Sequence, residues 1–381
     1  MTGLCLLLIP LAALLSAPLC AMLVHLGHRL RTFDSPGVAG QIKDPPRRVP
    51  NTGGIAIYWA ITLPLVACIA LALWTPDLLP PAAAPQVAYI RAKMSLALVL
   101  LGGISTLHIM GLIDDRRPLR ALPKLILMVA PALAAPLFTD TRLFTFLDAP
   151  TGGAWLSILL TTAWFLAVTN AMNFLDNMDG LSAGIAAIAA SAMLAITIQK
   201  HQWLLAGTLA LLIGACLGFL LFNAPRRSGA KLFMGDGGSL VLGYLLAFVT
   251  VRITYYDPGT SQSSGWHAVF MPLVVLAIPL YDLVVVTSMR LWQRKSPFLG
   301  DTNHVSHRLT RRGLTRAQSV YFLWGMTVFT GLAGLALAES SAPAALAIGA
   351  AVATLLAVLA VFEFWSGSDH NLSGRRENAP T

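Results

Sequence analysis

The chain has 381 residues, 56% of them hydrophobic and only 11% charged, against roughly a quarter charged in ordinary soluble domains. So few charges cannot coat a water-soluble globule of this size, and the bulk of the surface is expected to face lipid. The formal net charge of +9 would suggest nucleic acid in a soluble protein, but its distribution assigns it to membrane topology instead, with no nucleic acid as partner.

A helix needs about 20 mostly apolar residues to cross the hydrocarbon core. Eleven segments are candidates in chain order: 4–26, 54–74, 94–113, 121–138, 154–173, 183–199, 203–222, 238–254, 266–289, 318–338 and 342–365. The first has no basic residue ahead of it and is followed by Arg29 and Arg31. That is the reverse of a cleavable signal peptide, so it is expected to remain as a span with its N-terminus outside. Several spans carry proline (Pro10, Pro18, Pro64, Pro131, Pro272, Pro279), which neighbouring helices can accommodate in a membrane. Trp74, Trp155, Trp203 and Trp266 fall near span ends, as interface anchors do. Cys5, Cys20, Cys68 and Cys216 lie in apolar runs without CxxC spacing and are expected to be buried small hydrophobes.

Alternation of the spans puts 21 Lys and Arg on one side and 4 on the other. The richer side is cytoplasmic, which places the C-terminus inside. The expected fold is an all-α, polytopic membrane helix bundle of about eleven transmembrane helices. Residues 1–365 form one integral-membrane domain with catalytic cytoplasmic loops, and residues 366–381 form a polar cytoplasmic tail.

Four polar groups then fall on the cytoplasmic face. "GLIDDRRPLRALPK" places Asp114 and Asp115 at the end of the third span, where two carboxylates face the negative end of the helix dipole. A divalent cation or a transferred proton would explain why they are tolerated. "NAMNFLDNMDGLSAG" places Asn170, Asn173, Asp176, Asn177 and Asp179 at the end of the fifth span, with no Lys or Arg among them. Asn170, Asn173 and Asn177 share one helix face, and helix interiors disfavour Asn, so that face is expected to be wet or ligand-bound. Gly180 and Ser182 are explained by helix termination and capping.

"FMGDGGS" places Asp236 just before the eighth span. Gly235, Gly237 and Gly238 would let backbone N–H groups approach a phosphate, and Asp236 beside them would repel it unless it held Mg²⁺. "DTNHVSHRL" places Asp301, His304, His307 and Arg308 in the loop after the ninth span. These side chains suit a pyrophosphate, although a basic loop touching anionic lipid is the simpler alternative. No Cys lies on this face, and carboxylates with amides favour a hard ion, Mg²⁺ or Mn²⁺ in its place, over zinc.

Carboxylates for a metal, a phosphate cradle and a basic gripping loop are recurring parts of phosphoryl transfer, in which positioning does most of the work. At the boundary of membrane and cytoplasm, one substrate can be a lipid phosphate and the other a soluble nucleotide.

"GLIDDR", "NAMNFLDNMDGLSAG", "FMGDGGSLVLG" and "SPFLGDTNHVSHRL" resemble, in order and approximate spacing, the motifs of the polyprenyl-phosphate N-acetylhexosamine-1-phosphate transferases (glycosyltransferase family 4). The resemblance runs from about Pro46, at "PRRVPNTGG", to about Gly313. It implies a multi-pass enzyme of the bacterial inner membrane, with its active site facing the cytoplasm. The enzyme would move N-acetylhexosamine 1-phosphate from a UDP-N-acetylhexosamine to undecaprenyl phosphate and release UMP, with a homodimer as a candidate assembly.

The same resemblance implies Asp179 and Asp236 near Mg²⁺, with Asn173 as a further ligand. It implies Asp114 and Asp115 near the lipid phosphate and Lys124 in contact with phosphate. Asp176 joins Asp114 and Asp115 as a candidate catalytic carboxylate, and Asn170 and Asn177 are candidate substrate contacts. His304, His307 and Arg308 would grip the pyrophosphate. Two positions depart from the motif: Ser306 replaces an imidazole and Asn177 stands at a glycine position. The form of the loop and the eleventh span favour the N-acetylglucosamine branch over the muramoyl-pentapeptide branch. The alternative from another class is a cation-coupled transporter, for which Arg252 and Asp282 are the ionisable residues placed within spans. A CDP-alcohol phosphotransferase is set aside, because Gly184 stands where that motif needs arginine.

Overall fold

The computed structural model describes residues 1–33, 47–78, 81–226, 228–253, 266–296 and 302–364. Asp301, the first residue of "PRRVPNTGG" and the 366–381 tail lie outside these residues. The described residues form helices: α1 Thr2–Leu30, α2 Gly53–Trp74, α3 Ala84–Ala92, α4 Met94–Arg116, α5 Ala121–Phe138, α6 Trp155–Phe174 and α7 Leu181–Gln199. These are followed by α8 Trp203–Asn223, α9 Asp236–Arg252, α10 Met271–Val275, α11 Ala277–Trp292, α12 Val305–Arg311, α13 Arg316–Glu339 and α14 Ala342–Phe364.

The described residues of each of the eleven expected spans lie almost wholly in helix. Eight of the helices (α1, α2, α4, α6, α7, α8, α13 and α14) are long and apolar enough to cross a membrane by themselves, so this is a multi-pass membrane protein. α5 and α9 are shorter, at 18 and 17 residues. The expected span 266–289 is not one straight helix, because its two halves meet at 70°. Pro279 supplies the reason: it has no N–H for the carbonyl of Val275 and its ring crowds that carbonyl, so α10 stops and α11 sets off in a new direction.

α9 lies at the centre. Every residue from Gly237 to Thr250 is buried, as expected of a helix that is apolar all round, and α2, α4 and α6 pack about it. In α7 and α8, 78% of the most apolar window is buried, against 22% in α1 and 17% in α14, so the last two present most of their surface to lipid. α1 lies along α8, where the Ser16 hydroxyl donates to the Ala215 carbonyl at 2.9 Å. Trp74 and Trp155, at span ends, are exposed. Cys5, Cys20 and Cys216 are buried as expected, but Cys68 is exposed on α2, beside the outward-facing Val66.

One end of the bundle is stitched by main chain. Phe233 N–H donates to Pro50 O, and Gly53 and Gly54 N–H donate to Phe233 O and Met234 O, all at 2.8 Å. These bonds hold the start of α2 against the segment leading into α9. They place Asn51 and Asp236 side by side with the end of α4.

Candidate active site

The paired carboxylates that end α4 have different partners. Asp115 accepts the backbone N–H of Asp236 at 3.1 Å and of Gly237 at 3.5 Å, and the Asn51 amide at 3.1 Å. It therefore lies against the N-terminus of α9, where the dipole favours an anion. Asp114 accepts the Leu119 N–H at 2.6 Å and the Lys124 ammonium at 2.8 Å. Lys124 also contacts Asp236 directly, so one ammonium on α5 joins carboxylates from α4 and α9.

The glycine-rich turn has a different job from the one its sequence suggested. The N–H groups expected to cradle phosphate are already given away: those of Asp236 and Gly237 to Asp115, and those of Gly238 and Ser239 to the Gly235 carbonyl. The glycines instead permit close approach. Gly235 has φ of +70°, and a Cβ there would lie 2.4 Å from Asp115 Oδ2. A Cβ on Gly111 of α4 would lie 2.4 Å from the backbone of Asp236. A side chain at Gly111 would push α4 away from the first turn of α9, and one at Gly235 would strain the left-handed backbone and displace the Asp115 and Asn51 side chains.

The asparagines divide. Asn173 Nδ2 donates to Asp236 Oδ1 at 2.8 Å and to Ser239 Oγ at 2.9 Å, so it belongs with the α4–α5–α9 cluster. Asn170 turns back on its own helix and donates to Leu166 O at 2.7 Å. Asn177 donates to Phe174 O at 2.6 Å and accepts the Ser306 hydroxyl at 2.5 Å. Asp176 is half-buried in the same turn. Asp179 is not part of the Asp236 cluster: it takes both guanidinium nitrogens of Arg47, at 2.9 and 2.5 Å, and the Ala230 N–H at 2.9 Å. Arg47 also lies over the Phe233 ring, 4.7 Å from its centre. The Arg47–Asp179 pair opens onto a cleft of about 210 Å³ shared with Arg226 and Arg316.

The histidine loop is anchored from beneath. Asp282 of α11, fully buried, faces His304 Nδ1 at 2.7 Å with one oxygen and accepts the Val305 N–H at 2.6 Å with the other. The His304 ring meets the Phe174 ring edge-on at 5.3 Å, and the buried Arg290 lies over the Phe174 ring, 5.0 Å from its centre. Arg308 does not reach outward as the resemblance implied. Its side chain is 3% exposed and is paired with Glu363 of α14 at 2.7 Å. Glu363 also accepts from Tyr281 at 3.1 Å, and its backbone carbonyl accepts both Arg312 donors. His307, half-buried, is the more accessible imidazole of the two.

The structure thus brings together Asp114, Asp115, Lys124, Asn173 and Asp236, and separately Asn177 with the His304–Arg308 segment. Sequence reasoning missed Arg47, Asn51, Asp282 and Glu363 as members of this end of the molecule. The signal for the last two was there: an ionisable side chain in an apolar span needs a partner.

Among the described residues no three His, Cys, Asp or Glu side chains converge into a ready metal cage. The donor set nevertheless fits a hard divalent ion. Asp236 supplies carboxylate oxygens, and Asn173 spends its nitrogen on hydrogen bonds, which leaves its amide oxygen as a donor. Mg²⁺ is usually held by one or two such groups plus substrate phosphates, without an all-protein cage.

Residues 97–254 match the family described as glycosyl transferase family 4. The chain is 32% identical over 334 residues to a decaprenyl-phosphate N-acetylglucosaminephosphotransferase of Mycobacterium tuberculosis, covering 81% of this chain and 78% of the relative. It is 26% identical over 294 residues to a probable undecaprenyl-phosphate N-acetylglucosaminyl 1-phosphate transferase of Bacillus subtilis, covering 75% and 74%. It is 27% identical over 282 residues to the undecaprenyl-phosphate alpha-N-acetylglucosaminyl 1-phosphate transferase of Escherichia coli, covering 71% and 68%.

Proposed function

The chain belongs to glycosyl transferase family 4, a membrane-embedded phosphotransferase, and from that premise we propose that it transfers N-acetylglucosamine 1-phosphate from UDP-N-acetylglucosamine to undecaprenyl phosphate. The reaction takes place at the cytoplasmic face of the bacterial inner membrane. The observation that carries this reading is Lys124, on α5, shared between Asp114 of α4 and Asp236 of α9. A cation held between two helix ends at the rim of the bundle is suited to meet phosphates arriving from lipid and from water.

An oxygen of the lipid phosphate bonds to the sugar-bearing phosphorus of the donor, and the bond from that phosphorus to the UMP oxygen breaks. No proton need move, since a lipid phosphate is largely ionised at neutral pH. Lys124 is the ammonium donor offered to the incoming phosphate, and Asp114 orients it. Asp115 keeps the first turn of α9 against α4, so Asp236 stays in register with Asn173. Arg47, Arg226 and Arg316 around the cleft beside Asp179 favour the anionic nucleotide, and His307 is the group of the α12 loop offered to its pyrophosphate. Mg²⁺, or Mn²⁺ in its place, would be held by Asp236 and Asn173 and when bound supplies neutralisation of the pyrophosphate charge.

The transporter alternative loses its supports. Asp282 is fully buried against His304 and the Val305 N–H, and Arg252 ends α9, where it donates to Tyr89 and to the Asp140 carbonyl. The deciding assay is UMP release by the purified chain with undecaprenyl phosphate and UDP-N-acetylglucosamine, with Mg²⁺ and then with EDTA. UMP that requires lipid, nucleotide sugar and metal is the expected result. UMP with a different UDP-N-acetylhexosamine would change the sugar, and no UMP with any would sink the reading.

A further inference from the structure

Asn177 and Ser306 stand 129 residues apart in the chain and are joined by a hydrogen bond of 2.5 Å from the Ser306 hydroxyl to Asn177 Oδ1. The other end of the same amide donates to the Phe174 carbonyl at 2.6 Å, in the last turn of α6, where helix carbonyls lack partners within the helix. With both ends engaged, the amide has one orientation and the serine is the donor. Ser306 is fully buried and Asn177 half-buried, so the donor side of the bond is closed to water.

α12 has seven residues, too few to keep its shape unaided. Asp282 ties it to α11, and Glu363, through Arg308, ties it to α14. The Asn177–Ser306 bond is its tie to the turn that carries Asp176 and Asp179. Ser306 immediately precedes His307, so this tie governs where that imidazole stands. We infer that Asn177 and Ser306 are a positioning pair that sets the α12 loop against the acidic turn and thereby tunes how the enzyme holds its nucleotide sugar. The two positions at which the chain departs from the motif it resembles are the two that touch. A larger side chain at the buried Ser306 position would need the space that Asn177 fills.

The inference rests on the transferase reading, and two measurements on the full-length chain keep the two apart. The first is steady-state kinetics of Asn177→Ala, Ser306→Ala and the double variant. Each single variant is expected to raise KM for UDP-N-acetylglucosamine about five- to tenfold, the scale of one hydrogen bond, with KM for the lipid within about twofold. The double variant should be no worse than the poorer single, because one shared bond is lost. Effects that multiply in the double variant, or that fall equally on both substrates, would overturn the pairing. The second is hydrogen exchange of the unliganded protein, in which amides of residues 304–311 should exchange faster in each variant while those of α7 do not change. Unchanged exchange in 304–311 overturns the inference even if turnover is lost. Faster exchange confined to that segment supports it even if no UDP-sugar is consumed.

Discussion

Asp115 closes α4 and Asp236 opens α9, and the carboxylate of the first accepts the backbone N–H of the second at 3.1 Å. Two adjacent aspartates looked misplaced at the negative end of a helix; the second serves as the N-terminal cap of another helix. Asp115→Asn keeps the shape and removes the charge. It is expected to lower stability by about 1–2 kcal/mol, the upper range for a charge at a partly buried helix end. Thermal unfolding in detergent would show it, and an unchanged midpoint would mean that the first turn of α9 does not depend on that charge.

Lys124 is expected to be the most sensitive basic residue for turnover. Lys124→Gln leaves Asp114 and Asp236 without their shared ammonium and should lower kcat by about a hundredfold or more, as the loss of one preorganised charge does. Lys124→Arg should not restore it, since a planar fork cannot occupy the place of a compact ammonium between two helices. UMP release at saturating substrates measures both variants. Rates within a few-fold of the parent would remove Lys124 from the site.

Asp179 and Arg47 are predicted to act as one unit. Each binds the other through two nitrogen–oxygen contacts, so Asp179→Asn and Arg47→Ala should each reduce kcat/KM, on the order of tenfold, with the double variant little worse than either. Asp236→Asn should be more severe than Asp179→Asn, because Asp236 meets both Lys124 and Asn173. Equal losses at the two aspartates would argue that Asp179 leaves Arg47 and joins Asp236 during turnover.

Glu363 should matter for stability although it lies at the end of a lipid-facing helix. Glu363→Ala leaves the Arg308 guanidinium buried with Asp282 no nearer than 3.8 Å, and removing one partner of a buried pair costs about 3–5 kcal/mol. The Arg312 bonds go to the Glu363 backbone carbonyl and should survive, so α14 is expected to stay docked while α12 loosens. Detergent unfolding with hydrogen exchange over α12 tests both halves of this statement.

Much of the bundle could be deduced from apolar run lengths, and the convergence of Asp114, Asp115, Asn173 and Asp236 on one end from the Lys and Arg count alone. Partner choice could not. Asp115 and Asp114 are adjacent and chemically identical, yet one meets a helix N-terminus and the other an ammonium, a distinction made by how closely α4 approaches α9 at Gly111 and Gly235. Arg308 carried every mark of an anion-gripping side chain in a basic loop, but a carboxylate 55 residues later draws it inward. The bend between α10 and α11 was signalled by Pro279, but hydropathy averages over such a break.

The bond between Asp115 and Asp236 also bears on how the protein is made. Asp236 leaves the ribosome 121 residues after Asp115, roughly 6–24 s later at about 5–20 residues per second. In that interval α4 is complete while the helix it caps does not yet exist. Two carboxylates resist entry into hydrocarbon, so they hold the end of α4 at the water boundary. When α9 arrives, that restraint becomes a lock, and the register between the two helices is set late in biosynthesis by charges laid down early.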